Sequence, residues 1–134
     1  MSKINVGISI GDVNGIVIET IIKTFKDSRM MDFCTPIIFG SQKAASIHRK
    51  AIKIADFSFN IIDKTKDANT KRANLLNICK GDIDITFGKP TETAGELSFN
   101  ALKTASDALK NNEIDVLVTA PINKSTIQKK ISNF

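Results

Sequence analysis

The sequence predicts an α/β fold, a three-layer arrangement with a parallel or mixed sheet between helices. Three observations predict it. Short runs rich in β-branched residues recur at 4–10, 35–40 and 114–119, as buried strands require. Between them, apolar residues return at helical spacing, most clearly Ala94, Leu97, Ala101, Leu102, Ala105, Ala108 and Leu109. Finally, two turns of distinctive composition, 11–15 and 119–125, sit directly at the carboxyl ends of predicted strands.

Taken in order, the strand at 4–10 leads through Gly11-Asp12-Val13-Asn14-Gly15 into a helix at 16–25. Residues 26–33 read as a frayed helix end or a short second turn. A buried strand at 35–40 is followed by Ser41, which can cap a helix running to about residue 52. Residues 57–62 form a third strand with partial alternation, and 63–71 is a polar loop with room for a helical turn. A strand is expected at 73–79, a turn at Gly81-Asp82, and an alternating edge strand at 83–87. The long helix then starts at Thr91 or Thr93 and runs to Asn111-Asn112, the last strand is 114–119, and 126–131 is helical. Strands alternating with helices argue for a sheet covered on both faces.

The 134 residues are enough for one domain, 1–134, with a real core. Hydrophobic content of 42% and charged content of 25% are ordinary for a globular protein. No run approaches the ~20 apolar residues that span a bilayer. No charged-then-apolar leader precedes the first strand, so the expected location is the cytoplasm, with no membrane partner. The net charge of +5 comes from 19 basic against 14 acidic residues. These lysines are scattered, Trp and Tyr are absent, and no helix carries a continuous basic face, so nucleic acid is not the expected partner. Phe39, Phe57 and Phe59 lie in apolar runs, where core packing explains them. Cys34 and Cys79 lack a C-x-x-C partner and are expected to be free buried thiols. The single histidine, His48, is expected on a helix surface and has no companions for a transition-metal site.

Two glycines at a strand-to-helix turn permit backbone angles closed to other residues and let backbone amides approach a ligand. Asp12 and Asn14 can cap the first helical amides, and free amides there attract anions. The spacing is neither G-x-G-x-x-G nor G-x-x-x-x-G-K-[ST], so the turn alone is equally compatible with a plain structural connection. In the second turn, Pro121 braces Asn123 and Lys124 at the strand end, where an ammonium can attract phosphate or carboxylate. Its purely structural reading has Pro121 ending the strand, Asn123 capping a helix and Lys124 in solvent.

Together, GDVNGIVIE, TPIIFGS and VTAPINK, in that order, resemble the N-terminal part of the 4-hydroxythreonine-4-phosphate dehydrogenase family. That resemblance covers the whole chain. It implies an isocitrate/isopropylmalate dehydrogenase-like fold and an NAD-dependent oxidoreductase of pyridoxal phosphate biosynthesis. The implied reaction oxidises a secondary alcohol on a phosphorylated hydroxy amino acid to a β-keto acid that decarboxylates. A divalent metal and a homodimer with a shared active site are implied as well. Carried onto this sequence, Gly11, Asp12, Asn14 and Gly15 face the cofactor, Thr119 and Asn123 face the substrate, and Lys124 is the catalytic candidate. Val17 departs from the pattern, standing where the family has its second glycine. The family's G-H-T-E segment and three metal-ligating histidines have no counterpart in the 134 residues, so the chain is expected to be a truncated form, inactive alone and without metal ligands. The alternative expectation is a noncatalytic α/β module that binds a phosphorylated small molecule. Either way, the two turns must leave from neighbouring strand tips.

Overall fold

A computed structural model describes residues 4–10, 17–51, 57–78 and 92–119. Five strands, β1 (Ile4–Ser9), β2 (Cys34–Gly40), β3 (Asn60–Ile62), β4 (Asn74–Asn77) and β5 (Val116–Thr119), form one sheet in the order β3-β4-β2-β1-β5. Every pairing among them is parallel. Three helices, α1 (Val17–Phe25), α2 (Gln42–Ala51) and α3 (Glu92–Lys110), complete the layers. The expected strand at 83–87, the helix at 126–131 and Cys79 lie outside the described residues.

Because register partners in a parallel sheet point the same way, the two faces can be read off the ladder. One face carries Ile8, Ile10, Ile38 and Leu75, and Ile21 of α1 and Ala45 of α2 close over it. Its opposite carries Asn5, Gly7, Phe39 and Leu76 beneath Thr104 and Ala108 of α3. The chain steps from β1 to β2 through α1 on the first face and returns across the sheet from β4 to β5 through α3 on the second. Reversing both direction and face keeps one crossover hand, as parallel connections demand.

The helices form for legible reasons. In α1, Ile21, Ile22 and Phe25 are buried, and the exposed side carries a Glu19–Lys23 pair at 2.9 Å, one turn apart. In α3, Leu97, Ala101, Ala105 and Ala108 are buried. Alanine at those positions lets the helix lie close to the sheet. α3 stops at Asn112, whose φ of 60° is left-handed. Asn112 N–H donates to the Leu109 carbonyl at 3.2 Å and Glu113 N–H to the Ala108 carbonyl at 2.8 Å, the paired bonds of a Schellman ending.

Several sequence expectations shift. Only Asn60–Ile62 of the run at 57–62 pairs; Phe57 and Phe59 pack edge-on instead, ring centres 5.0 Å apart at 86°. β4 is Asn74–Asn77 rather than 73–79. β5 starts two residues late because Ile114 turns inward over Gly7 while Asp115 secures β1: its carboxylate accepts from Asn5 N–H at 2.7 Å, and its N–H donates to the Asn5 carbonyl at 2.8 Å. Cys34 is in no disulfide but only half-buried, correcting the buried thiol, because it opens β2 opposite the exposed Ile4; its thiol donates to the Met30 carbonyl at 3.8 Å. Ile4, Val116 and Val118 form an exposed apolar stripe on β1 and β5.

Residues 26–33 hold a 3-10 turn, Ser28–Asp32, capped by Asp27. The Asp27 carboxylate accepts from the Arg29 guanidinium at 2.7–3.2 Å and from Arg29 N–H at 3.0 Å. The side-chain bond first, and the backbone bond second, hold its pKa at about 2, below the ordinary 3.8. A depressed carboxylate stabilises fully above the ordinary value and loses that contribution as pH falls through the native one. We therefore expect the Asp27 carboxyl to titrate near pH 2 by carbon NMR, and Arg29→Ala to move it up towards 3.8.

One buried side chain among the described residues has an unpaired polar atom: Thr35 Oγ1, in a residue 1% exposed. Thr35→Val removes the desolvated hydroxyl while keeping the shape. The expected result is a neutral to ~1 kcal/mol more stable protein by urea unfolding; a loss of that size would mean that the hydroxyl has a partner.

Candidate functional site

Four parallel strands end together. Ser9 of β1 is the register partner of Thr119 of β5 on one side and of Phe39 of β2 on the other, and Gly40 pairs with Asn77 of β4. Neighbouring strands are ~4.8 Å apart, so the segments beginning after Ile10 and after Thr119 leave from adjacent tips at the same end of the sheet. This is the arrangement the sequence required of its two turns.

Thr119 is exposed at the tip of β5, on the sheet face covered by α3, beside the buried Ser9. Ile10 extends the β1 tip by donating its N–H to the Phe39 carbonyl at 3.1 Å. Ile10 is 2% exposed, so the residue entering Gly11 is anchored in the core. Gly11, Asp12, Asn14, Gly15, Asn123 and Lys124 lie outside the described residues, and so does the side chain of His48.

Two helices, α1 and α2, start at this end of the sheet on the same face. In α2 the first amides are filled by the chain itself. Ala44 N–H donates to Ser41 Oγ at 3.2 Å, Ala45 N–H to the Ser41 carbonyl at 3.0 Å, and Gln42 N–H to Asn77 Oδ1 at 3.1 Å. Ser41 thus caps as the sequence predicts. Asn77 was not singled out by sequence; the only signal is an Asx residue ending the apolar pair Leu75-Leu76.

Among the described residues no three His, Cys, Asp or Glu side chains come together as metal ligands, and no helix is long and apolar enough to cross a membrane. These residues therefore do not constitute a metal site.

Comparison with known proteins places this geometry. The family described as pyridoxal phosphate biosynthetic protein PdxA matches residues 32–134. A 4-hydroxythreonine-4-phosphate dehydrogenase from Bacteroides thetaiotaomicron is 41% identical over 133 residues, which are 99% of this chain and 36% of that protein. This alignment includes the Gly11–Gly15 turn, which precedes the family match. Crystal structures of 4-hydroxythreonine-4-phosphate dehydrogenases from Burkholderia phymatum and Klebsiella pneumoniae superpose with TM-scores of 0.85 and 0.87, at 21% and 19% identity. They cover 96% and 98% of this chain but 39% and 40% of their own, and at such identities they establish the fold. The chain spans roughly two-fifths of the length of these relatives, and it belongs to the PdxA family of pyridoxal phosphate biosynthetic proteins.

Proposed function

We propose that this chain supplies the cofactor- and substrate-facing strand tips of an NAD-dependent dehydrogenase acting on 4-hydroxythreonine 4-phosphate. The observation that carries the reading is the parallel pairing of Ser9 with Thr119, which starts both turns from one end of the sheet. Gly11, Asp12, Asn14 and Gly15 would hold the dinucleotide, their backbone amides offering hydrogen bonds to an anionic group. Bound there, NAD would supply the hydride acceptor for the carbinol carbon. Thr119 and Asn123 orient the substrate, and Lys124 either neutralises its anionic group or, in its uncharged form, takes the hydroxyl proton. The product is a β-keto acid, which loses carbon dioxide. Its setting is a cytoplasmic homodimer in pyridoxal phosphate biosynthesis. A divalent metal that polarises the alcohol belongs to this reading, but the described residues provide no ligand set, so no step on this chain is assigned to it.

A second reading keeps the paired Ser9 and Thr119 tips as a noncatalytic module that binds a phosphorylated small molecule without turnover. Calorimetry with NAD and an NADH-formation assay with 4-hydroxythreonine phosphate and a divalent metal separate the two. The dehydrogenase reading predicts NAD binding weakened about tenfold, ~1.4 kcal/mol, by Asp12→Ala. It adds turnover, cut about a hundredfold or more by Lys124→Met, as loss of a proton-transfer group does. Failure to bind NAD would end the dehydrogenase reading, and failure to bind 4-hydroxythreonine phosphate as well would end the second.

A further inference from the structure

We propose that a cleft on the α3 face of the sheet is a second small-molecule site, for a ligand carrying a cationic and an anionic end joined by a short apolar chain. The cleft encloses about 550 Å³, within the ~300–1,000 Å³ of ordinary ligand sites. It lies between α3 and the connection from β3 to β4, over a floor that includes Phe39 and Leu76. Thr119, which alone of the proposed dehydrogenase site residues is among those described, does not line it.

The walls differ in charge. Lys64 and Lys66, with the single acid Asp63 before them, come from the β3–β4 connection and leave that wall net positive, while Asp107 and Glu113 come from α3 and the turn after it. Among the described residues, no ion pair joins the lysines to the acids across the gap. The Thr65 hydroxyl donates to Glu113 Oε1 at 2.7 Å, linking the two walls at one point. The left-handed Asn112 fixes where Glu113 stands. Opposite charges facing one cavity with an apolar floor favour a molecule that presents ammonium to the acids and carboxylate or phosphate to the lysines. A ligand with only one charged end leaves the other wall unmatched.

The test uses three probes of equal carbon number on the intact protein: 6-aminohexanoate, hexanoate and hexylamine, followed by amide NMR. The expected result is that 6-aminohexanoate shifts residues 63–66, 104–108 and 113 and binds about tenfold or more tighter than either single-ended probe. Lys66→Ala and Asp107→Asn, both exposed positions, each abolish that advantage while the rest of the spectrum stays in place. Equal affinity for the three probes, no shift in those segments, or an advantage that survives both substitutions overturns the proposal.

Discussion

Asn74→Leu is expected to destabilise the protein by about 3–5 kcal/mol, the range of a buried polar network broken at its centre. Asn74 sits in β4, fully buried between β3 and β2. Its Nδ2 group faces the carbonyls of Pro36, Asn69 and Arg72 at 3.1, 3.0 and 3.0 Å. Its Oδ1 accepts from Asn69 N–H at 2.8 Å and from Asn60 Nδ2 at 2.9 Å. One side chain therefore holds the return turn into β4, the start of β3 and the body of β2. Leucine matches its size but leaves the Asn69 amide and the Asn60 amide group without their acceptor. Because a domain holds only ~5–15 kcal/mol in total, the urea midpoint should fall visibly. A loss under ~1 kcal/mol would show that water or relaxation replaces the network.

Asn74→Asp separates hydrogen bonding from packing, because the shape is retained. An ionised carboxylate there keeps the Oδ1 contacts but turns a second negative oxygen towards three carbonyls. The folded protein then favours the protonated acid, which raises its native pKa above the unfolded ~3.9. By linkage, the variant is most stable below that unfolded value and weakens as pH rises through the raised one. Its unfolding curve should therefore gain a pH slope relative to the parent over that interval. A parallel pair of pH profiles would mean that the three carbonyls do not sense the charge.

Much of this architecture was legible because its causes are local. β-Branched runs at β1 and β2 and alanine periodicity in α3 specify element type almost unaided. Adjacency of the two tips followed only once a parallel α/β sheet was assumed, and strand order could not be read from pattern at all, since order is set by which faces the helices cover. Local signals failed where tertiary partners intervene. The run at 57–62 looks like a strand, but Phe57 and Phe59 gain more by packing on each other and the core than by extending the ladder. Ile114 reads as strand yet is spent filling the space over Gly7. Asn77 and Asn74 look like loop-formers until their partners, tens of residues away, are known. For the candidate site, the pattern implied that both turns leave from one end of the sheet, as the pairing of Ser9 with Thr119 has it, while the roles assigned to Thr119 and Lys124 rest on family resemblance.

Gly40→Val is expected to cost about 2–3 kcal/mol, the upper part of the overpacking range, and to disturb the β1 tip more than any substitution of similar size elsewhere in the sheet. A Cβ at Gly40 would stand 2.5 Å from Ile10 Cγ2, 3.3 Å from its Cδ1 and 3.4 Å from its Cβ. Those are the stem of a β-branched side chain that is 2% exposed, so rotation of a flexible end cannot relieve them. Gly7 gives the contrast: there the closest atom is Ile114 Cδ1, the far end of its side chain, which can swing aside at lower cost. At Gly40 the backbone of Ile10 must move, and its N–H bond to the Phe39 carbonyl is what fixes the start of the Gly11 turn. If this is the mechanism, Ile10→Ala should cost less in the Gly40→Val background than in the parent, because the cavity it opens is filled. A double-mutant cycle by urea unfolding should therefore show favourable coupling of at least ~1 kcal/mol. Additive losses would place the strain somewhere other than between Gly40 and the β1 tip.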